Sequence, residues 1–82
     1  MKRNIHGFEI SWVGDARIEA TRSTAPKHGY EFETSADRKH VKRLDLVAPV
    51  DVPKGDALID AEQFEDEARK AAKEFVRLQN AA

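Results

Sequence analysis

The hydrophobic period changes once along this chain, and that change limits the fold more than any other feature. Through the first half, apolar residues recur at every second position. Phe8, Ile10 and Trp12 are separated by Glu9 and Ser11. Ala16, Ile18 and Ala20 alternate with Arg17, Glu19 and Thr21, and Tyr30 and Phe32 alternate with Glu31 and Glu33. A period of two puts one row of side chains on one face of a strand. After residue 60 the period becomes helical: Ala61, Phe64, Ala68, Ala71, Phe75 and Leu78 follow at spacings 3, 4, 3, 4, 3, and Ala72 and Val76 widen the stripe. A helix with a stripe this broad is built to lie on a sheet.

These patterns predict strands at about 5–13, 16–23, 30–36 and 40–47. Gly14-Asp15 marks the first turn, the segment with Pro26 and Gly29 a loop, and Asp37-Arg38 the last turn. In the fourth strand Leu44 and Leu46 are expected on the core face, although Val41 falls on the opposite parity. Pro49, Pro53 and Gly55 predict an extended crossover over 48–58. The helix is expected at about 60–79, with Asp60 as N-cap, Gln63 completing a capping box, and Ile59 and Phe64 as a hydrophobic staple. Glu65–Arg69 and Asp66–Lys70 are oriented for i,i+4 pairing. The fold class is therefore α+β: one domain, 1–82, with a three- to four-stranded antiparallel β-meander packed against one C-terminal α-helix.

Composition narrows the function. A chain of 82 residues buries a thin core, and hollowing out an internal reaction chamber would remove much of it. The absence of cysteine excludes disulfides and thiolate metal sites. A net charge of −1 gives no global attraction to nucleic acid or membrane. No apolar run approaches the roughly 20 residues that span a bilayer. Lys2 and Arg3 are not followed by the apolar run of a signal peptide, because His6, Glu9 and Ser11 intrude, so the expected location is cytoplasmic. Residues 1–45 hold nine Lys/Arg against seven Asp/Glu, and 46–82 hold five against eight. The basic part of one copy and the acidic helix start of another could attract each other, but a solvated mixed surface explains the asymmetry more simply.

The most conspicuous local feature is Arg38-Lys39-His40-Val41-Lys42-Arg43. Arg38, Lys39, Lys42 and Arg43 are the candidate polyanion-binding residues, since such a cluster can grip phosphates. The competing reading is that these charges blunt an edge strand against aggregation. Glu31, Glu33 and Asp37 lie close enough to offset the field, and no aromatic pair is interleaved to stack bases. His6, His28 and His40 are too scattered to form a metal site, and His28 reads as a solvated loop residue. Ser11, Ser23 and Ser35 do not sit in a strained nucleophile elbow, and Pro53-Lys54-Gly55-Asp56 lacks the flanking residues of a phosphate loop. Trp12 and Tyr30 read as core aromatics. No catalytic, cofactor or metal residue is assigned, and an enzyme is not expected.

The Ile5-His6-Gly7-Phe8-Glu9-Ile10 opening and the closing run from Phe64 to Val76 resemble short bacterial domains of unknown function that end in a Phe-x-x-x-Ala-x-x-Ala-Ala helix. The resemblance implies strands followed by one helix and carries no functional residue over. A looser similarity is to sheet-and-helix antitoxin domains of toxin–antitoxin pairs, from which this chain differs in lacking an attached DNA-binding segment. The function expected from the sequence is a non-enzymatic module that binds an unknown protein partner or forms a homodimer. The alternative is a polyanion or nucleic-acid binder acting through 38–43. No cofactor and no membrane partner are expected.

Overall fold

The computed structural model describes residues 2–24, 27–49 and 57–81; of 48, 49 and 57–61 only the backbone is described. Five strands form one antiparallel sheet: β1 (Arg3–Ile5), β2 (Phe8–Gly14), β3 (Arg17–Arg22), β4 (His28–Thr34) and β5 (Val41–Pro49). Their order in the sheet is β1-β2-β3-β4-β5, so each strand pairs with its neighbours in the chain. One helix, α1 (Ala57–Asn80), follows. The α+β class and the meander are as expected, with five strands in place of three or four. Among the described residues no helix is long and apolar enough to cross a membrane.

The extra strand comes from dividing the expected first strand in two. His6 and Gly7 both adopt left-handed backbone angles, with φ of 52° and 81°. Two such residues between the paired Ile5 and Phe8 make a tight hairpin of the mirror-image type that matches strand twist. A Cβ on Gly7 would meet no atom within 4 Å, so the glycine is needed for its backbone angle alone. Asn4 donates to the Ser23 hydroxyl at 3.0 Å, and the Ser23 N–H donates to the Gly7 carbonyl at 2.9 Å, which ties this hairpin to the end of β3.

The core-facing side chains line up across the strands. Ile10, Ala20, Tyr30 and Val47 form one row, and Trp12, Ile18, Phe32 and Leu44 the next. The other face of the sheet carries a second set of rows: Ser11, Glu19, Glu31 and Leu46, then Arg17, Glu33 and Arg43. Glu19 and Glu31 stand directly opposite, which is unfavourable for like charges. Arg17 offsets this by pairing with Glu31 at 3.3 Å and with Asp45.

Strand β5 departs from the expected alternation. Its register against β4 shifts between Glu31 and Phe32 and again between Glu33 and Thr34, so Asp45 and Lys42 are extra residues in two bulges. Val41, Leu44 and Val47 consequently sit opposite Thr34, Phe32 and Tyr30, and all three pack against the core. Leu46, expected in the core, is 51% exposed. Apolar residues three apart cannot share a face of a regular strand; a bulge between each pair restores the phase. The parity break at Val41 was the visible trace of this.

Two further expectations are corrected. His28 opens β4 and is fully buried instead of lying in a solvated loop. Its ring sits 6.3 Å from that of Tyr30 and 6.4 Å from that of Phe64, and among the described residues neither ring nitrogen has a hydrogen-bond partner. The alternation of β4 simply extends back to His28, which takes the core side two residues before Tyr30. The helix starts one turn before the expected cap. Ile59 and Asp60 are therefore helical residues and not a staple and N-cap. Ala57 and Leu58 are good helix formers, and a carboxylate within the first turn is favoured by the helix dipole. Most of the expected crossover, 50–56, lies outside the described residues, while its two ends belong to β5 and α1.

Helix α1 covers one face of the sheet. Ala68, Ala71, Ala72, Phe75 and Val76 are buried with Phe8, Ile10, Ile18, Ala20, Tyr30 and Phe32. Three alanines in the stripe let the helix backbone come close, and the aromatic rings of the sheet fill the space. Phe64 is half-buried, with the Arg22 guanidinium 3.7 Å above its ring. Glu65–Arg69 forms as expected at 3.6 Å, while Lys70 pairs with Glu67 at 4.0 Å in place of Asp66.

The bulged register makes neighbouring leucines unequal. Leu44→Ala should cost about 2 kcal/mol, and Leu46→Ala less than about 0.5 kcal/mol, read from urea midpoints at unchanged slope. Burial pushes the Tyr30 phenol up from 10.0 to about 12, with Arg22 opposing and Glu65 adding. Because the neutral phenol is favoured in the folded state, its contribution is complete below pH 10 and is lost as pH rises toward about 12. An alkaline titration should show unfolding and phenolate absorbance rising together across that interval.

Candidate functional site

The β4–β5 turn, residues 35–40, is organised by two short polar side chains. Ser35 donates its hydroxyl to Asp37, and the same Ser35 oxygen accepts the N–H of Lys39 at 3.3 Å and of His40 at 3.1 Å. The Ser35 N–H bonds the His40 carbonyl at 2.8 Å, and the Arg38 N–H bonds the Ser35 carbonyl at 2.9 Å. Asp37 also accepts the Lys39 N–H at 3.1 Å. The Ser35 hydroxyl first, and then that N–H, hold the Asp37 carboxyl below its ordinary range. Arg38 takes a left-handed angle, φ 60°, which these surrounding bonds impose.

Arg38 then fastens the turn to its surroundings. Its guanidinium donates to the carbonyls of Asp15 and, at 3.3 Å, Gly14, and lies 4.4 Å over the Trp12 ring. Trp12 in turn packs on Phe75 of the helix, ring centres 5.7 Å apart. From the other side, the Asn80 side-chain amide donates to the Arg38 carbonyl at 2.9 Å and to the Val76 carbonyl at 2.8 Å. The β2–β3 turn, the β4–β5 turn and the last turns of α1 are thereby held together.

Where the last two of these meet, an open depression of about 250 Å³ is lined by Lys39, His40, Val41, Lys73 and Val76. Val41 and Val76 are also core residues and supply an apolar floor. Lys39 and Lys73 are exposed on its rim, and neither has an ion pair among the described residues.

The four candidate polyanion-binding residues thus have different situations. Arg38 is held by the neighbouring turn and by Trp12. Lys42 and Arg43 both pair with Glu33, at 3.4 and 3.0 Å, and Arg43 also approaches Asp45 at 3.9 Å. Lys42 first, and then Arg43, hold the Glu33 carboxyl below its ordinary range. Lys39 alone of the four lines the depression, joined by Lys73. Nothing in the sequence links Lys73 to Lys39, since residues 34 positions apart meet only through packing. His6 is exposed at the β1–β2 turn, His28 is in the core and His40 is on the rim, so the three histidines do not converge. Among the described residues no group of three or more His, Asp or Glu is placed to hold a metal ion.

Comparison with protein-family models, with curated proteins and with solved structures finds no match for this chain.

Removing the Arg38 side chain tests the fastening. Arg38→Ala should red-shift and weaken the resolved signal of Trp12 in fluorescence and cost about 1 kcal/mol in urea unfolding, the scale of one exposed cation–π contact with its hydrogen bonds. Arg43→Ala, which breaks exposed pairs only, should change stability by less than about 0.5 kcal/mol.

Proposed function

We propose that this domain is a non-enzymatic protein-interaction module that meets its partner where the β4–β5 turn adjoins the C-terminal half of α1. The observation that carries this reading is the pair of lysines without ion pairs among the described residues, both lining a depression that also includes Val41 and Val76, beside a hydrogen-bonded turn. Ordered backbone and a ready-made surface lower the entropic cost of association.

Three features weigh against the rival readings. The depression is open, has two valines as its floor, and falls below the roughly 300–1,000 Å³ of small-molecule pockets, which does not favour an enzyme. For strand-addition dimers, β1 offers only three residues, and β5 carries two bulges, the exposed Lys42 and Arg43, and a proline at its end, Pro49. Short, bulged, charged or proline-bearing strands resist edge pairing. For nucleic acid, the basic run keeps one of its four candidate residues out of internal pairing. In addition, Phe8, Tyr30, Phe32 and Phe75 are buried, Trp12 lies under Arg38, and Phe64 lies under Arg22, so no ring is presented as a stacking platform.

The test is affinity capture from native lysate with the immobilised chain and with a Lys39→Gln/Lys73→Gln variant, each checked for fold by circular dichroism. The wild-type chain should retain a specific protein that the double variant retains several-fold less. Equal retention by both chains, or enrichment of nucleic acid alone, would remove the assignment.

A further inference from the structure

Resting on that reading, we propose that the depression takes an acidic-aliphatic segment of the partner protein: an Asp or Glu carboxylate between Lys39 and Lys73, with a neighbouring aliphatic side chain on Val41 and Val76. Charge complementarity selects the first half. Two exposed lysines, Lys39 and Lys73, line the depression together with His40. Asp37, two residues before Lys39, is already engaged by the Ser35 hydroxyl and the Lys39 N–H. Glu74, beside Lys73 in the helix, is held by Arg77 at 3.0 Å.

The floor selects the second half. Val76 belongs to the core and the half-buried Val41 packs against it, and these two are the apolar residues that line the depression. A volume of about 250 Å³ has room for one or two side chains and no more. A free C-terminal carboxylate is normally captured by converging backbone N–H groups. Here the N–H groups of Lys39 and His40 already donate to Ser35 and Asp37. Lysine ammonium groups act as point charges without a fixed fork, which suits an internal Asp or Glu side chain approaching at varied angles. A nucleic-acid backbone would need several phosphate contacts in a line, and the basic side chains on either side of Lys39 are paired internally.

The experiment is a backbone-amide NMR titration of the full 82-residue chain with the capped peptide Gly-Leu-Asp-Leu-Glu-Gly. The same peptide with Asn and Gln for its acids, and a ten-nucleotide oligo-dT, serve as comparison ligands. The acidic peptide should shift the amides of Lys39, His40, Val41, Lys73 and Val76 saturably, with a Kd of roughly 1 mM at low salt, as expected of two exposed ion pairs and one small apolar contact. Raising salt to about 0.3 M should weaken it. Lys39→Gln/Lys73→Gln should weaken it roughly fivefold, while its unshifted core amides show that the fold is kept. Equal binding of the uncharged peptide, equal binding by the double variant, shifts centred on the open sheet face, or tighter binding of the oligonucleotide at the same amides would each overturn the proposal. If the peptide fails while the lysate partner is still captured through Lys39 and Lys73, this occupant is rejected and the interaction module stands.

Discussion

The contact between α1 and one face of the sheet is what every other part of this molecule depends on. Ala68, Ala71, Ala72, Phe75 and Val76 close over Phe8, Ile10, Ile18, Tyr30 and Phe32, and all of these are buried. Each large side chain so removed from water contributes about 1.5–3 kcal/mol, and in a chain of this length few other sources of stability exist. The contact also determines what is left over. It fills the interior, so any recognition must occur on the outside or at the seams. It also brings the helix against the far end of β5, where Val41 and Val76 are shared between the core and the surface depression.

That seam is stabilised by an arrangement of few atoms. Ser35 and Asp37 satisfy the N–H groups within the turn, Arg38 reaches to the carbonyls of Gly14 and Asp15, and Asn80 bridges from the helix to the Arg38 carbonyl. The strongest basic signal in the chain is thereby divided. Arg38, Lys42 and Arg43 serve internal contacts, and Lys39 is left facing outward next to Lys73. Lys42 and Arg43 lie on the bulged β5 edge and pair with Glu33, and the same basic run supplies Lys39 to the depression.

What the sequence made legible was set by period. The alternation of β2, β3 and β4 and the 3–4 spacing of α1 survive directly as the buried rows, because those elements are regular and one-sided. The failures fall where regularity breaks. Bulges at Lys42 and Asp45 moved Leu46 outward and Val41 inward, a rephasing that alternation alone cannot encode. The His6-Gly7 turn was passed over because the preferred first residue of such turns is Asn or Asp. His28 was misplaced because Pro26 and Gly29 flank it, although its parity with Tyr30 and Phe32 was consistent with burial. The depression was out of reach for another reason: Lys39 and Lys73 belong to different elements, and only the docking of the helix makes them neighbours.

Each strand pairs with its neighbour in sequence, and the described connections 6–7, 15–16 and 35–40 are short. Such short closures take well under a microsecond, and hairpins form in about 1–10 μs. Pairing within the sheet therefore joins residues that are close in sequence. Docking of α1 is of another kind: Phe75 reaches back to pack on Trp12, 63 residues earlier, so the contact that completes the core is also one that closes a large loop.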